Sequence, residues 1–241
     1  LPAMAASLGE SPLRMQSVVV AYALTMAMLI PASGWIADRF GTRRIFFSAI
    51  VLFALGSVLC ALSHSLGQLV AARVVQGLGG ALLLPVGRLS LLRTVPRGEF
   101  LQAMSFVAIP GLIGPLLGPT LGGWLVQYAS WHWIFLINVP VGLAGCLATL
   151  KYMPDLRGVV QKRFDSVGYA MLAFGMVAIS LSLDGVGLRQ GGVMVVLIFG
   201  FASIAAYWLR ASRTPEPLFA PSLFHVPTLS IGLIGNLFSR L

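Results

Sequence analysis

The chain has 241 residues, of which 58% are hydrophobic and only 10% are charged, and its mean hydropathy is +0.91. A water-soluble domain of this composition would aggregate, so we predict an all-α membrane protein. The formal net charge of +9 does not indicate nucleic-acid binding, because the basic residues fall in short loops between apolar runs. Cys60 and Cys146 lie within apolar runs and indicate neither a disulfide framework nor a metal site.

The first predicted membrane span covers residues 14–36, after a mildly polar segment, residues 1–13, on the outer side. Pro31 lies within this span and predicts a kink, which neighbouring helices can accommodate. A second span covers residues 45–62. Each run is about as long as a helix must be to cross a bilayer core of roughly 30 Å.

A charged stretch, residues 34–44, joins these two spans, and we predict that it is a surface loop. Arginines near helix ends resist translocation, so its three arginines indicate the cytoplasmic side. The same rule does not account for the acidic Asp38, whose presence therefore indicates a function. For the arginines, topology alone and a functional role are equally good explanations. The candidate functional residues of this loop are Gly34, Asp38, Arg39, Gly41, Arg43 and Arg44.

The third predicted span, residues 69–88, contains Arg73. An arginine at mid-helix costs roughly 2.5 to 3.5 kcal/mol on insertion scales, so it normally faces a partner or a water-filled cavity. The alternative is that Arg73, about one turn inside the outer boundary, extends to the lipid headgroups. We favour a functional role, because Gln76 and Gly77 lie on the same helix face as Arg73.

Residues 100–150 contain no charged side chain, and they are long enough for two spans, at 101–126 and 133–151. Glycines spaced four residues apart in the first of these leave one helix face without side chains, so that another backbone can approach closely. Prolines in the same span predict a bend. The residues of this motif are Gly111, Gly114, Pro115, Gly118, Pro119, Gly122 and Gly123.

The rest of the chain also alternates between apolar spans and polar loops. We predict a helix bundle over residues 1–152, a cytoplasmic loop at 153–165, two further spans within 166–210, a cytoplasmic linker at 211–226 and a truncated span at 227–241. Arg240 in the last segment is a candidate polar site within the membrane. Twelve lysines and arginines fall in the predicted inner loops and two in outer segments, which supports this topology.

The motifs resemble those of the major facilitator superfamily. Residues 34–44 resemble its loop signature between the second and third helices, residues 69–80 its fourth-helix signature, and residues 114–123 the fifth-helix signature of its proton-coupled exporters. The two extra spans at 166–210 resemble the drug:proton antiporter branch with fourteen transmembrane helices. On this alignment the chain is expected to be an N-terminal half fragment that lacks the first helix.

The resemblance implies a multidrug efflux transporter of the bacterial inner membrane, in which two helix bundles alternate access to a central site. It implies that Arg73 and Gln76 couple proton movement to substrate, that Asp38 pairs with basic groups at a cytoplasmic gate, and that the fifth-helix motif biases the protein toward export. No spare carboxylate lies within a predicted span, so the proton carrier is expected outside this chain. The expected partners are amphiphilic substrates, protons and lipid, with no cofactor other than the proton gradient, and the protein is expected to be a monomer.

Other functions stay open from the sequence. A membrane-embedded enzyme would need a nucleophile with a base, a metal cluster or paired carboxylates, and the spans offer none. A sensor or scaffold that keeps a transporter fold without transport is a second alternative, because fold does not imply function. A narrow-specificity metabolite exporter is a third. We expect residues 1–241 alone to insert into a membrane without transporting, since the central site needs both bundles.

Overall fold

The computed structural model describes residues 2–158, 163–184 and 190–221, together with residues 223, 226–228, 231–232 and 235. Contacts divide the chain into unit 1, residues 1–161, and unit 2, residues 162–241. Ten α-helices are found in the described residues: α1 (Pro2–Leu8), α2 (Gln16–Leu29), α3 (Ser33–Phe40), α4 (Thr42–Ala61), α5 (Leu66–Thr94), α6 (Phe100–Tyr128), α7 (Trp133–Leu136), α8 (Asn138–Tyr152), α9 (Ser166–Asp184) and α10 (Gln190–Ala211).

Six helical stretches of the described chain are long and apolar enough to cross a membrane: Gln16–Phe40, Thr42–Ala61, Leu66–Thr94, Trp133–Tyr152, Ser166–Leu183 and Gly191–Ala211. An α-helix rises about 1.5 Å per residue, so about 20 residues cover the hydrocarbon core. Helix α6 has 29 residues and no charged side chain. The predicted all-α membrane fold is confirmed.

The charged stretch at residues 34–44 is mostly helical, and the prediction of a loop there was wrong in its extent. Helix α3 continues to Phe40 and α4 begins at Thr42, so Gly41 alone separates them. Gly41 has a φ of +96°, a conformation that residues with a side chain rarely adopt. A helix can continue past the apolar boundary because charged side chains are hydrated on its surface while its backbone hydrogen bonds stay intact.

Other predicted boundaries also differ from those in the structure. Helix α5 runs to Thr94, so most of the basic segment that follows the third predicted span is helical. Residues 1–13, for which no helix was predicted, contain α1. The span predicted at 133–151 is divided at Ile137 into α7 and α8. A 3₁₀ turn over Ile30–Ala32 separates α2 from α3 at the position where a kink is expected near Pro31.

Helix α5 packs between α2 and α4 in unit 1, and glycines on both sides allow the close approach. A Cβ atom at Gly56 of α4 would lie 2.5 Å from the Cα and backbone N of Gln76. A Cβ at Gly79 would lie 2.5 Å from the backbone O of Ala49, and one at Gly77 would lie 2.8 Å from Cβ of Thr25 in α2. Side chains at these positions would push the helices apart, so the glycines set the register of α2, α4 and α5.

Replacing Gly56 by alanine is therefore expected to destabilise unit 1 by about 1 to 3 kcal/mol, because the added methyl group meets the backbone of α5 and cannot be accommodated by a rotamer change. Thermal unfolding of the purified membrane protein that contains this chain would measure the effect. The matched control is Gly67→Ala in α5, where a Cβ meets nothing within 4 Å. Equal melting temperatures for the two variants would contradict the close approach at Gly56.

Unit 2 consists mainly of α9 and α10, which pack against each other. The side chain of Asp165, only 4% exposed, pairs with Arg210 at 2.7 Å and also accepts a hydrogen bond from the backbone N of Gly168 at 2.9 Å. Asp165 thus caps the first turn of α9 and ties it to the end of α10. The hydroxyl of Tyr207 accepts a hydrogen bond from the backbone N of Phe219 at 2.7 Å, which holds the following segment against α10.

Candidate functional site

The guanidinium group of Arg73 is held between α2 and α5 inside unit 1. Its Nε donates a hydrogen bond to the backbone O of Val18 at 3.1 Å, and its Nη1 donates to Oε1 of Gln76 at 2.6 Å. The guanidinium carbon lies 4.1 Å from the centroid of the Tyr22 ring, where the negative face of the ring attracts the cation. The alternative in which Arg73 extends to the lipid headgroups does not match this geometry.

Gln76 connects Arg73 to a buried polar cluster between α4, α5 and α8. Gln76 is 1% exposed, and its Nε2 donates a hydrogen bond to Oγ of Ser57, which is fully buried, at 2.7 Å. Asn138 also donates to Ser57 Oγ, from Nδ2 at 3.3 Å. An unsatisfied polar group in this position would cost about 1 to 3 kcal/mol, so the cluster is maintained as a unit.

The sequence predicted that Arg73 and Gln76 share a face, but it did not single out Ser57 or Asn138. The contact between Ser57 and Gln76 joins residues 19 positions apart, and that between Ser57 and Asn138 joins residues 81 apart. Both depend on the register of packed helices. A serine within an apolar run gives no such indication by itself, because its hydroxyl usually bonds its own helix backbone.

This arrangement leaves the positive charge of Arg73 without an anionic partner among the described residues. Gln76 is a neutral acceptor, so it orients the guanidinium without cancelling its charge. Two of the five N–H donors of Arg73 are used by Val18 and Gln76. The others are suited to a carboxylate, which arginine binds with charge-assisted hydrogen bonds.

Asp38 forms an ion pair at the opposite end of the bundle. Its Oδ1 lies 2.6 Å from Nη2 of Arg93, near the end of α5, and the two side chains are 39% and 29% exposed. The sequence predicted a basic partner for Asp38 without identifying Arg93. Asp38 belongs to α3. Arg39 lies in the last turn of α3 and Gly34 in its first turn, where a Cβ atom added to Gly34 would meet no described atom within 4 Å.

The segment that follows α8, residues 153–158, folds back onto the junction of α3 and α4, and we call it the clasp. Thr42, fully buried, donates from its backbone N to the O of Leu156 at 2.9 Å. Its hydroxyl donates to the O of Pro154 at 3.1 Å and accepts from the N of Leu156 at 3.1 Å. The sequence predicted an ordinary cytoplasmic loop here.

Two further contacts bind the clasp to the charged stretch. The backbone N of Gly158 donates to the backbone O of Asp38 at 3.1 Å. Asp155 lies 3.7 Å from Nε of Arg44, and a Cβ at Gly41 would collide with the Asp155 carboxylate. The end of unit 1 that carries Asp38 is therefore a single hydrogen-bonded assembly of α3, α4, α5 and the clasp. Arg43 lies in the first turn of α4 within it.

We expect Thr42→Val, which keeps the shape of the side chain and removes its hydroxyl, to loosen the clasp. The backbone O of Pro154 and the backbone N of Leu156 would lose the Thr42 hydroxyl as their hydrogen-bond partner, at a local cost of about 1 to 3 kcal/mol. Amide hydrogen exchange over residues 153–158 should accelerate. The control is Thr149→Val, because the buried hydroxyl of Thr149 bonds only the O of Gly145 in its own helix. Unchanged exchange in Thr42→Val would show that the hydroxyl does not hold the clasp.

The fifth-helix motif lies on α6, which is helical throughout and includes Pro115 and Pro119. Among the described residues, no atom lies within 4 Å of a Cβ atom added at the glycines of this motif. The close approach of another helix backbone to these glycines therefore stays a prediction. These glycines are Gly111, Gly114, Gly118, Gly122 and Gly123. Arg240, the candidate polar site, lies outside the described residues.

A cavity of about 610 Å³ lies beside α5 and α8, toward the end of unit 1 that carries Asp38. Its lining is mostly apolar and includes Phe46, Leu84, Leu91 and Tyr152, with Arg88 as its one charged side chain. Arg88 lies 15 residues after Arg73 in α5, which corresponds to roughly 22 Å along the helix axis. The cavity is therefore separate from the Arg73 cluster. The described residues contain no group of His, Cys, Asp or Glu that could hold a metal ion.

Comparison with known proteins identifies this architecture. A sequence model described as the Major Facilitator Superfamily matches residues 1–239. The chain is similar to proteins named "Putative multidrug resistance protein MdtD": it is 54% identical to the one from Serratia proteamaculans, 52% to that from Yersinia enterocolitica and 54% to that from Cronobacter sakazakii. Each alignment covers 100% of this chain and 51% or 52% of the relative.

The chain thus spans about half the length of the curated relatives it matches. The match runs through the charged stretch, the helix that carries Arg73 and the two helices of unit 2, which are the features that the sequence analysis attributed to a transporter. The predicted superfamily is confirmed, and this integral membrane chain belongs to the Major Facilitator Superfamily.

Proposed function

We propose that the protein containing this chain is a secondary active transporter that exports drugs or other amphiphilic small molecules in exchange for protons. The observation that carries the proposal is the half-buried charge of Arg73, which has no anionic partner among the described residues and is fixed by Gln76, Val18 and Tyr22. A cation in a membrane span is costly, and such groups characteristically belong to substrate or ion pathways.

In the proposed cycle, Arg73 exchanges between its present partners and a carboxylate outside this chain. An ionised carboxylate next to an arginine is stabilised, and protonation removes that attraction. Proton binding would therefore release Arg73, and proton loss would recapture it. Rocking of two helix bundles about a midplane site would turn this exchange into alternating access. The ion pair of Asp38 with Arg93 would close the cytoplasmic side in one of the two states.

An amphiphilic substrate is supported by two observations. The cavity beside α5 and α8 is largely apolar with one arginine, a lining suited to an apolar body with a polar or charged group. The relatives are named as multidrug resistance proteins. We propose further that the protein acts as a monomer in the bacterial inner membrane, uses no cofactor besides the proton gradient and catalyses no chemical reaction.

The test uses the complete gene product that contains this sequence, purified into proteoliposomes with an imposed proton gradient. A panel of lipophilic cations is added in turn, and proton flux is followed with a pH-sensitive dye. Flux that depends on one or more panel members is the expected result. A folded protein that moves protons with none of them would contradict the proposal and favour a narrow metabolite exporter or a sensor without transport.

A further inference from the structure

We propose that Ser57 is a positioning residue that acts through Gln76 to hold the guanidinium of Arg73 in its place above Tyr22. The inference rests on the proposed function, in which Arg73 exchanges partners during transport. Ser57 touches neither Arg73 nor the cavity described above. It is fully buried in α4, and it is the point at which the hydrogen bonds of three helices converge.

The direction of each hydrogen bond in the cluster follows from the donors available. Arginine has only donors, so the end of the Gln76 amide that faces Arg73 at 2.6 Å must be its oxygen. The NH₂ group of Gln76 must then face Ser57, whose oxygen accepts at 2.7 Å. If the amide were reversed, the NH₂ group of Gln76 would face the N–H donors of Arg73, and neither group could accept a hydrogen bond. Ser57 therefore supplies the acceptor that this orientation of the Gln76 amide requires.

Ser57 can act as an acceptor because its own proton is used elsewhere. Its hydroxyl donates to the backbone O of Phe53 at 2.8 Å, one turn earlier in α4. Asn138 donates to the same oxygen from the start of α8 at 3.3 Å. One donated and two accepted hydrogen bonds use the full capacity of a hydroxyl group. The hydroxyl is thus held in the accepting orientation toward Gln76.

The backbone geometry leaves Gln76 little freedom to compensate. The missing side chain at Gly56 brings α4 against the Cα and N of Gln76, and Gln76 is 1% exposed. Without Ser57 Oγ, the Gln76 NH₂ group would lose the acceptor that it has in the structure. The amide would rotate to find another partner, and Arg73 would lose its 2.6 Å hydrogen bond.

The test compares Ser57→Ala with Ser63→Ala in the complete protein reconstituted in proteoliposomes. Ser63 is also buried, but within the described part of the chain its hydroxyl bonds only the O of Leu59, one turn earlier. Interhelical hydrogen bonds in membranes correspond to effects of about 3- to 15-fold, and we expect Ser57→Ala to lower the maximal rate of substrate-dependent proton flux by that factor. The substrate KM should change less than about twofold, since Ser57 does not line the cavity. Ser63→Ala should leave both parameters unchanged.

A double substitution identifies the route of the effect. In a Gln76→Leu background, Ser57→Ala should cause no further loss of rate, because the two residues act through one contact. Ser57→Cys fills the same space with a weak acceptor and should reproduce the loss if the alanine variant is unstable. The inference is overturned if Ser57→Ala behaves like Ser63→Ala, or if its effect adds fully to that of Gln76→Leu. Absence of flux in the wild-type protein would instead overturn the proposed function together with it.

Discussion

Arg73→Ala is expected to lower substrate-dependent proton flux by at least about 100-fold while the protein stays inserted and folded. The side chain supplies the charge that the proposed cycle exchanges, so its removal should raise the barrier of the coupled step. A barrier increase of about 3 kcal/mol corresponds to a factor of about 100 in rate. Flux in proteoliposomes, normalised to the amount of folded protein, is the measurement.

Arg73→Lys distinguishes the effect of the positive charge from the effect of the hydrogen bonds that the guanidinium group makes. Lysine keeps the charge but cannot reproduce the guanidinium bonds to Val18 and Gln76 at once, so we expect it to recover only a small part of the flux. Arg97→Ala removes an exposed arginine three residues after the end of α5 and should be close to wild type. If Arg73→Ala retained substrate-dependent proton flux, Arg73 would have no part in coupling.

Asp38→Arg is expected to lower transport roughly tenfold, because it replaces the attraction between Asp38 and Arg93 by like-charge repulsion between α3 and α5. Adding Arg93→Asp reverses the pair and should restore most of the lost rate. The two side chains are partly exposed, so salt should weaken both the loss and the rescue. Initial rates at low and high ionic strength would measure this.

The control for the rescue is Arg97→Asp in the Asp38→Arg background. It changes the net charge of the protein by the same amount, but Arg97 forms no ion pair with the described residues. Rescue by Arg93→Asp together with failure of Arg97→Asp would identify the pair itself as the gate contact. Equal rescue by both would mean that surface charge, and not this contact, sets the transport rate.

Much of the fold could be predicted from the sequence because the determining features are local. Hydropathy over about 20 residues locates a membrane helix, and the positions of Lys and Arg orient it, whatever surrounds it. The shared face of Arg73 and Gln76 follows from helical periodicity alone, and their hydrogen bond fits it. Helix ends were less predictable, as α3 and α5 show, because the end of an apolar run does not end the hydrogen bonding of a helix.

The partners of the site residues were decided only by the tertiary structure. Arg93 meets Asp38 across 55 residues, Ser57 meets Gln76 across 19, and the clasp meets Thr42 across more than 110. Each contact requires a particular register between packed helices, and that register follows from close approaches such as Gly56 against the backbone of Gln76. The sequence by itself determined which residues are costly to bury, since that cost belongs to the residue. It could not determine what satisfies them, because a partner is fixed by packing between segments far apart in the chain.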